Sequence, residues 1–350
     1  MSATPRELVT QALRLEHPSR LPRQTWLLPI AQRAYPDEIK ALQERWPDDI
    51  AGVPSPYRPS PRAEGDAYAV GTCIDEWGCE FHSIQAGVIG EVKQPMIADI
   101  ADRAKCTPPY ETLPTDVPAA RDAVNRSCAA SDKFLLAACC PRPWERMQFL
   151  RGTANAMMDV MAPEDGGAAL LRTIHEFYLA ELEFWTATDV DAAMFMDDWG
   201  SQRSLLIPPR VWRDLFKPLY KDYCDLAHSR GKFIFMHSDG CISEIYEDLV
   251  EIGVDAVNSQ LFTMDLADLA RRVKGRITFW GEIDRQHVLP ADDPRVARDA
   301  VREVAKYLYD PAGGIIAQFE LGPAARPANA FAIYEEWDAV HREATSKHNA

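Results

Sequence analysis

The run Phe235-Met236-His237-Ser238-Asp239-Gly240 sets an imidazole and a carboxylate two residues apart at the end of an apolar stretch. Side chains alternate along a strand, so His237 and Asp239 would project the same way and could chelate one cation. Neutral imidazole and carboxylate oxygen suit a borderline divalent ion such as zinc, and a catalytic zinc keeps three protein ligands and one open position. Glu320, after Ile315-Ile316-Ala317-Gln318-Phe319, is the expected third ligand, with Glu282 in Trp280-Gly281-Glu282-Ile283-Asp284 as the other candidate. The plainer reading of His237 and Asp239 is a hydrogen-bonded strand-end pair with Gly240 making the turn.

More acids stand at other strand ends. Met196-Asp197-Asp198-Trp199-Gly200 carries two adjacent carboxylates, one of which could orient substrate or act as general base. Alternatively Asp198 caps a short helix and Asp197 pairs with an arginine. Glu282 and Asp284 repeat the spacing of two, and crowded carboxylates raise one another's pKa unless a cation is present. Asp197, Asp198 and Glu282 are thus the expected catalytic acids. Asn258 and Gln260 add neutral donors and acceptors, and Trp199, Trp280, Phe262 and Phe319 could wall a pocket. Asp75, on the turn Asp75-Glu76-Trp77-Gly78, is expected to touch substrate from a lid, the alternative being a solvated loop. Arg146 and Arg151 could pair a substrate carboxylate or, more simply, form ion pairs on a helix surface.

To meet, these residues need one set of elements. Eight β-type segments recur, at 24–28, 49–53, 134–140, 192–197, 232–237, 256–259, 277–282 and 314–319. Amphipathic stretches long enough for helices, such as 168–188, 208–229, 243–252 and 296–309, separate most of them. Thr4-Pro5-Arg6-Glu7 reads as a capping box opening a first helix that runs through Leu13. Such alternation predicts an α/β protein, a (β/α)8 TIM barrel over residues 1–345, with an open doubly wound sheet as the rival. A long insertion, about 54–133 and between strands two and three, alternates apolar and polar residues around glycines and predicts a small antiparallel lid or wall at one mouth. Residues 346–350 read as a polar, frayed tail.

Composition narrows the chemistry. In 350 residues, 38 Lys and Arg stand against 53 Asp and Glu, a net charge of −15 with no basic block to offset it, so nucleic acid is not an expected partner. No apolar run approaches the roughly 20 residues that span a bilayer. The opening residues lack a basic segment followed by an apolar one, so a cytoplasmic protein is expected. The eight cysteines form no C-x-x-C pair and read as reduced core or pocket residues. Neither G-x-S-x-G, a P-loop nor G-x-G-x-x-G is present, which leaves serine hydrolase, nucleotide hydrolase and Rossmann dehydrogenase readings unsupported.

A set of local motifs resembles the uroporphyrinogen decarboxylase (URO-D) superfamily, and within it the branch of corrinoid-linked methyltransferases. They are the helix and His17-Pro18-Ser19-Arg20-Leu21-Pro22-Arg23 segment within 7–29, Asp75-Glu76-Trp77-Gly78, residues 145–152, Asp197-Asp198-Trp199-Gly200, His237-Ser238-Asp239-Gly240, Gly253 to Asn258, Gly281 to Asp284 and Pro327-Ala328-Asn329. The resemblance implies a (β/α)8 barrel. The Arg-Gln-Ala-Gly-Arg-Tyr segment of true uroporphyrinogen decarboxylases is missing where the first strand begins Arg23-Gln24-Thr25-Trp26, which argues against haem synthesis. Methyltransferases of the branch hold zinc by a His-x-Cys and a later cysteine; here His237 matches, Asp239 replaces the first cysteine, and Phe319 or Glu320 stands at the second. The resemblance therefore implies an oxygen-rich zinc site polarising an ether or amine in an O-demethylation-like reaction, with the methyl group exchanged with cobalamin on a separate corrinoid protein, since no Asp-x-His-x-x-Gly occurs here. A homodimer is one assembly it allows. The alternative is a metal-independent decarboxylase of a small carboxylated substrate, in which Asp197 stabilises a protonated intermediate.

Overall fold

The computed structural model describes residues 3–348. All eight expected strands form: β1 (Arg23–Leu27), β2 (Ile50–Gly52), β3 (Phe134–Leu136), β4 (Ala192–Met196), β5 (Phe233–Ser238), β6 (Ala256–Ser259), β7 (Thr278–Trp280) and β8 (Ile315–Leu321). They join in the order β1-β8-β7-β6-β5-β4-β3-β2, with every hydrogen-bonded neighbour parallel. Where β1 meets β2, the Asp49 amide donates to the Arg23 carbonyl at 2.9 Å, and two carboxylates replace further ladder bonds. Asp49 Oδ2 accepts the Arg23 amide at 2.9 Å and Asp48 Oδ1 the Thr25 amide at 2.7 Å. The arrangement is a nearly closed (β/α)8 barrel, not the open doubly wound sheet.

Its core has two layers, as strand alternation requires. Ile50, Phe134, Leu136, Ala192, Phe235, Ala256, Trp280 and Ile316 fill the barrel interior, joined by Val9 of the first helix, which plugs the lower end. Their sequence neighbours, such as Leu135, Ala193, Ile234, Met236, Val257 and Ala317, face the surrounding helices. The first helix, Pro5–Arg14, opens on the expected capping box, with Thr4 Oγ1 accepting the Glu7 amide at 3.2 Å and Glu7 Oε2 accepting the Thr4 amide at 2.7 Å.

Three elements differ from expectation. The apolar run 134–140 is strand only to Leu136, and Ala137 to Cys140 leave the sheet to line a cavity at the barrel mouth. The helical stretch 208–229 is two helices, Pro209–Leu215 and Lys217–Ser229, broken just ahead of Pro218, whose ring has no N–H to continue the first. Between β2 and β3 the chain forms an antiparallel sheet of Gly71–Ile74, Glu80–Ser83 and Glu91–Val92. The last helix, Pro327–His348, runs into the stretch expected as a tail, of which 349 and 350 lie outside the described residues. Among the described residues no helix is long and apolar enough to cross a membrane. The eight cysteines are free thiols.

Candidate active site

Alternation decides which strand-end groups reach the mouth. Ala192 belongs to the barrel interior with Met194 packed against it, and Phe195 to the outer layer, so the outward turn falls to Asp197 and the inward one to Asp198. Asp197 is fully buried and caps the helix Pro143–Arg151: its oxygens accept the amides of Trp144 at 2.9 Å and Glu145 at 2.7 Å, and the Tyr220 hydroxyl at 2.6 Å. Those three donors occupy it and give it no face to the cavity. Asp198 instead turns toward β5.

Its partners arrive through a crossing of two loops. Gly200 and Gly240 lie in backbone contact, and a Cβ on Gly200 would meet the Cys241 nitrogen at 2.3 Å. Gly240 also has φ +76°, a left-handed conformation open to glycine. The Gly200 amide donates to the Asp239 carbonyl at 3.0 Å and the Asp239 amide to Asp198 Oδ1 at 2.8 Å. Close packing of the two glycines therefore brings the acid two residues before Gly200 beside the acid just before Gly240. Gln260 Oε1 accepts the Gly240 amide at 3.2 Å and steadies the turn.

Above Phe235, His237 points into the barrel. Its ring is oriented by Asn258 on β6, a fully buried residue. The Trp280 carbonyl can only accept, so the Asn258 amide nitrogen faces it at 2.5 Å, and reaches Gln318 Oε1 at 2.9 Å. Asn258 Oδ1 then faces His237 Nδ1 at 2.6 Å, so Nδ1 is the nitrogen that donates inside the barrel and Nε2 the one turned to the mouth. Nε2 lies 3.6 Å from Asp198 Oδ1 and 3.6 Å from Asp239 Oδ1. Ligand atoms of Asp198, His237 and Asp239 all lie within 4.8 Å of one another. Bonds of about 2.0–2.2 Å at tetrahedral angles place zinc donor atoms roughly 3.3–3.6 Å apart, the spacing that both pairs made by His237 Nε2 have. Asp239 Oδ1 is moreover buried without a hydrogen-bond partner, the condition of a carboxylate oxygen left for a cation.

Glu320, the expected third ligand, is held elsewhere. It pairs with Arg285 at 3.2 Å, and the same guanidinium bonds Asp239 Oδ2 and lies 3.6 Å from Glu282 Oε1. Arg285, in the loop after β7, was not among the residues singled out by spacing; four acids at neighbouring strand ends did signal the need for a cation. Glu282 is almost fully buried, and burial pushes its carboxyl up to about 8 against the pull of Arg285. With Gln260, Phe262 and Arg285 it lines a cavity of about 190 Å3.

On the other side of the mouth lies a cavity of about 970 Å3, bounded by the inserted segment and by Cys139, Cys140, Arg142 and Glu145. Asp75 lines it, and is bonded to Arg146, whose guanidinium also lies 4.9 Å from the Trp77 ring. Arg151 bonds Asp159 at 2.5 Å and the Ile97 carbonyl at 2.5 Å, which ties the inserted segment down. Trp199 and Trp280 are fully buried away from both cavities. Trp199 stacks on Trp144 at 5.2 Å, and Trp280 lies in the barrel with its Nε1 donating to Gln24 at 3.0 Å. Phe319 packs on Tyr334, so of the four expected aromatics Phe262 lines a cavity.

Two cavity carboxyls lie above the usual carboxylate range. Burial and the charge of Asp198 push Glu145 up to about 7, and its Oε2 is buried without a hydrogen bond, 3.9 Å from the Arg142 guanidinium. Burial pushes Glu181 up to about 8, with the Tyr57 hydroxyl opposing the shift. The folded chain then holds the Glu181 proton where the unfolded chain has lost it, so this group's contribution to stability falls as pH rises from the unfolded value toward about 8. Between pH 6 and 8 the loss is about 2 kcal/mol. Urea denaturation at the two pH values should show a loss larger in the wild type than in Glu181→Gln by about that amount, with Glu145 and Glu282 contributing alike to both; equal losses in the two proteins would assign the pH dependence to other groups.

Among solved structures, a methyltransferase from Methanosarcina mazei shares the fold with a TM-score of 0.64 at 14% identity, over 96% of this chain and 99% of that one. An endo-beta-1,4-xylanase from Gloeophyllum trabeum aligns over 94% of this chain and 98% of its own at a TM-score of 0.45 and 11% identity. No curated protein matches the chain. The family model described as uroporphyrinogen decarboxylase (URO-D) matches residues 68–339. Since that span runs from the inserted sheet into the last helix and takes in both crossing loops with His237 between them, the chain belongs to the uroporphyrinogen decarboxylase family.

Proposed function

We propose that this protein is a zinc-assisted methyltransferase, moving a methyl group between a small methylated ether or amine and a corrinoid carried by a separate protein. The observation that carries the reading is His237 Nε2 turned toward two carboxylate oxygens at 3.6 Å, one of them buried without a hydrogen-bond partner. His237, Asp239 and Asp198 would hold the ion, which when bound supplies a Lewis acid that draws electron density from the substrate heteroatom. Asn258 keeps the imidazole in the ligating tautomer, and Gln260 holds the turn that presents Asp239. The larger cavity has room for the methyl donor between the inserted segment and the mouth. Glu145, whose carboxyl is pushed up to about 7, lines that cavity and would give its proton to the oxygen or nitrogen that loses the methyl group.

The decarboxylase alternative needs a carboxylate free to stabilise a protonated intermediate, and Asp197 is already engaged by three donors inside the core. The test is to supply zinc-loaded protein with cob(I)alamin and a panel of methyl ethers and methylamines. Methylcobalamin formed in step with demethylated product is expected, and chelated protein should lose the activity. Carbon dioxide release from carboxylated substrates by the chelated protein, with no methylcobalamin, would replace this reading by the lyase.

A further inference from the structure

Arg285 divides the carboxylates of the mouth into two sets. It bonds Oδ2 of Asp239, which leaves Oδ1 facing His237 Nε2 at 3.6 Å, and it holds Glu320 Oε1 at 3.2 Å. Behind it, both oxygens of Glu282 are buried and unpartnered, the nearer 3.6 Å from the guanidinium. One nitrogen and two oxygens therefore face the ion position, a low-coordinate set with an open place. As many as five further carboxylate oxygens, one on Asp239 and two each on Glu320 and Glu282, lie around the guanidinium.

We infer that Arg285 is a positioning residue that sets the metal preference of this site, by withholding those oxygens and so favouring zinc over larger, harder ions. The inference rests on the metal reading above. Its physical basis is coordination number: zinc is satisfied by four ligands that include nitrogen, whereas manganese and calcium prefer six or more oxygens. A planar fork can hold Asp239 and Glu320 at once, which a lysine ammonium at the end of a flexible stem does not reproduce. Removing the positive charge strengthens the binding of every divalent ion, so the informative quantity is the ratio of affinities.

The experiment titrates metal-free protein with zinc or manganese alone, each in competition with a chromophoric chelator, for wild type, Arg285→Gln, Arg285→Lys and Arg285→Gln/Glu320→Gln. The wild type should bind zinc in preference to manganese. Arg285→Gln should narrow the zinc-to-manganese ratio by at least about tenfold as Glu320 and Asp239 Oδ2 join the shell, and Arg285→Lys, which keeps the charge but not the fork, should narrow it in part. The double variant should regain part of the ratio, because the Glu320 carboxylate is gone while Asp239 Oδ2 remains. Equal tightening of both ions in Arg285→Gln, with Arg285→Lys at the wild-type ratio, would overturn the inference in favour of a charge effect. Binding of neither ion by the wild type would instead remove the metal reading itself.

Discussion

Purified without chelators, the wild-type protein should retain about one zinc per chain, and His237→Ala should retain less than about a tenth of that by plasma emission. The imidazole is the one nitrogen in the ligand group, and its loss leaves two carboxylates that a solvated ion can exchange against water. Asn258→Ala separates ligation from orientation. It removes no ligand but deletes the acceptor that keeps the proton on Nδ1, so zinc affinity should fall by about 10- to 100-fold while stoichiometry at saturating zinc stays at one. If His237 and Asp239 were an ordinary strand-end pair, the wild type would carry no zinc, and His237→Ala would cost only stability, about 1–3 kcal/mol for the unsatisfied Asn258 oxygen. A thermal melt of each variant distinguishes that outcome from loss of metal in a folded protein.

The barrel was legible because its signal is local and periodic. A strand such as Phe233–Ser238 is bounded by turns and apolar on both faces, and helices with one apolar stripe follow. The pair His237 and Asp239 was legible for the same reason, since a period of two carries through the strand end. Asp197 and Asp198 differ by one residue, and separating them needs the phase of the whole strand relative to the barrel interior, which apolar residues on both faces conceal. Trp199 and Trp280 show the limit for aromatics: both sit beside acids at strand ends, yet the crossing loops bury one under the helix Pro143–Arg151 and the barrel encloses the other. The choice between Asp198 and Glu320 lies further out of reach. It depends on where Arg285 goes, and Arg285 lies in an irregular loop whose course follows from tertiary packing.

That choice has a decisive measurement, because both acids are close enough to feel the charges of Asp239 and His237. Asp198→Ala should weaken zinc by at least about 100-fold, or roughly 2.7 kcal/mol, whereas Glu320→Ala should leave it within about threefold. Asp198 Oδ1 stands 3.6 Å from His237 Nε2 and is held there by the Asp239 amide at 2.8 Å, so its loss removes a ligand and loosens the turn carrying another. Glu320 bonds Arg285 at 3.2 Å, so its loss frees a guanidinium that Asp239 and Glu282 still engage. Burial raises the pKa of both acids, with Asp239 adding to the shift in each, so at low pH each becomes a poorer ligand and protonation alone cannot separate them. Either carboxylate attracts a divalent ion through its charge, and the geometry of the ligand atoms is what predicts unequal losses. Equal losses in the two variants would mean that the summed charge of the mouth holds the ion, and the assignment of Asp198 as a ligand would fall.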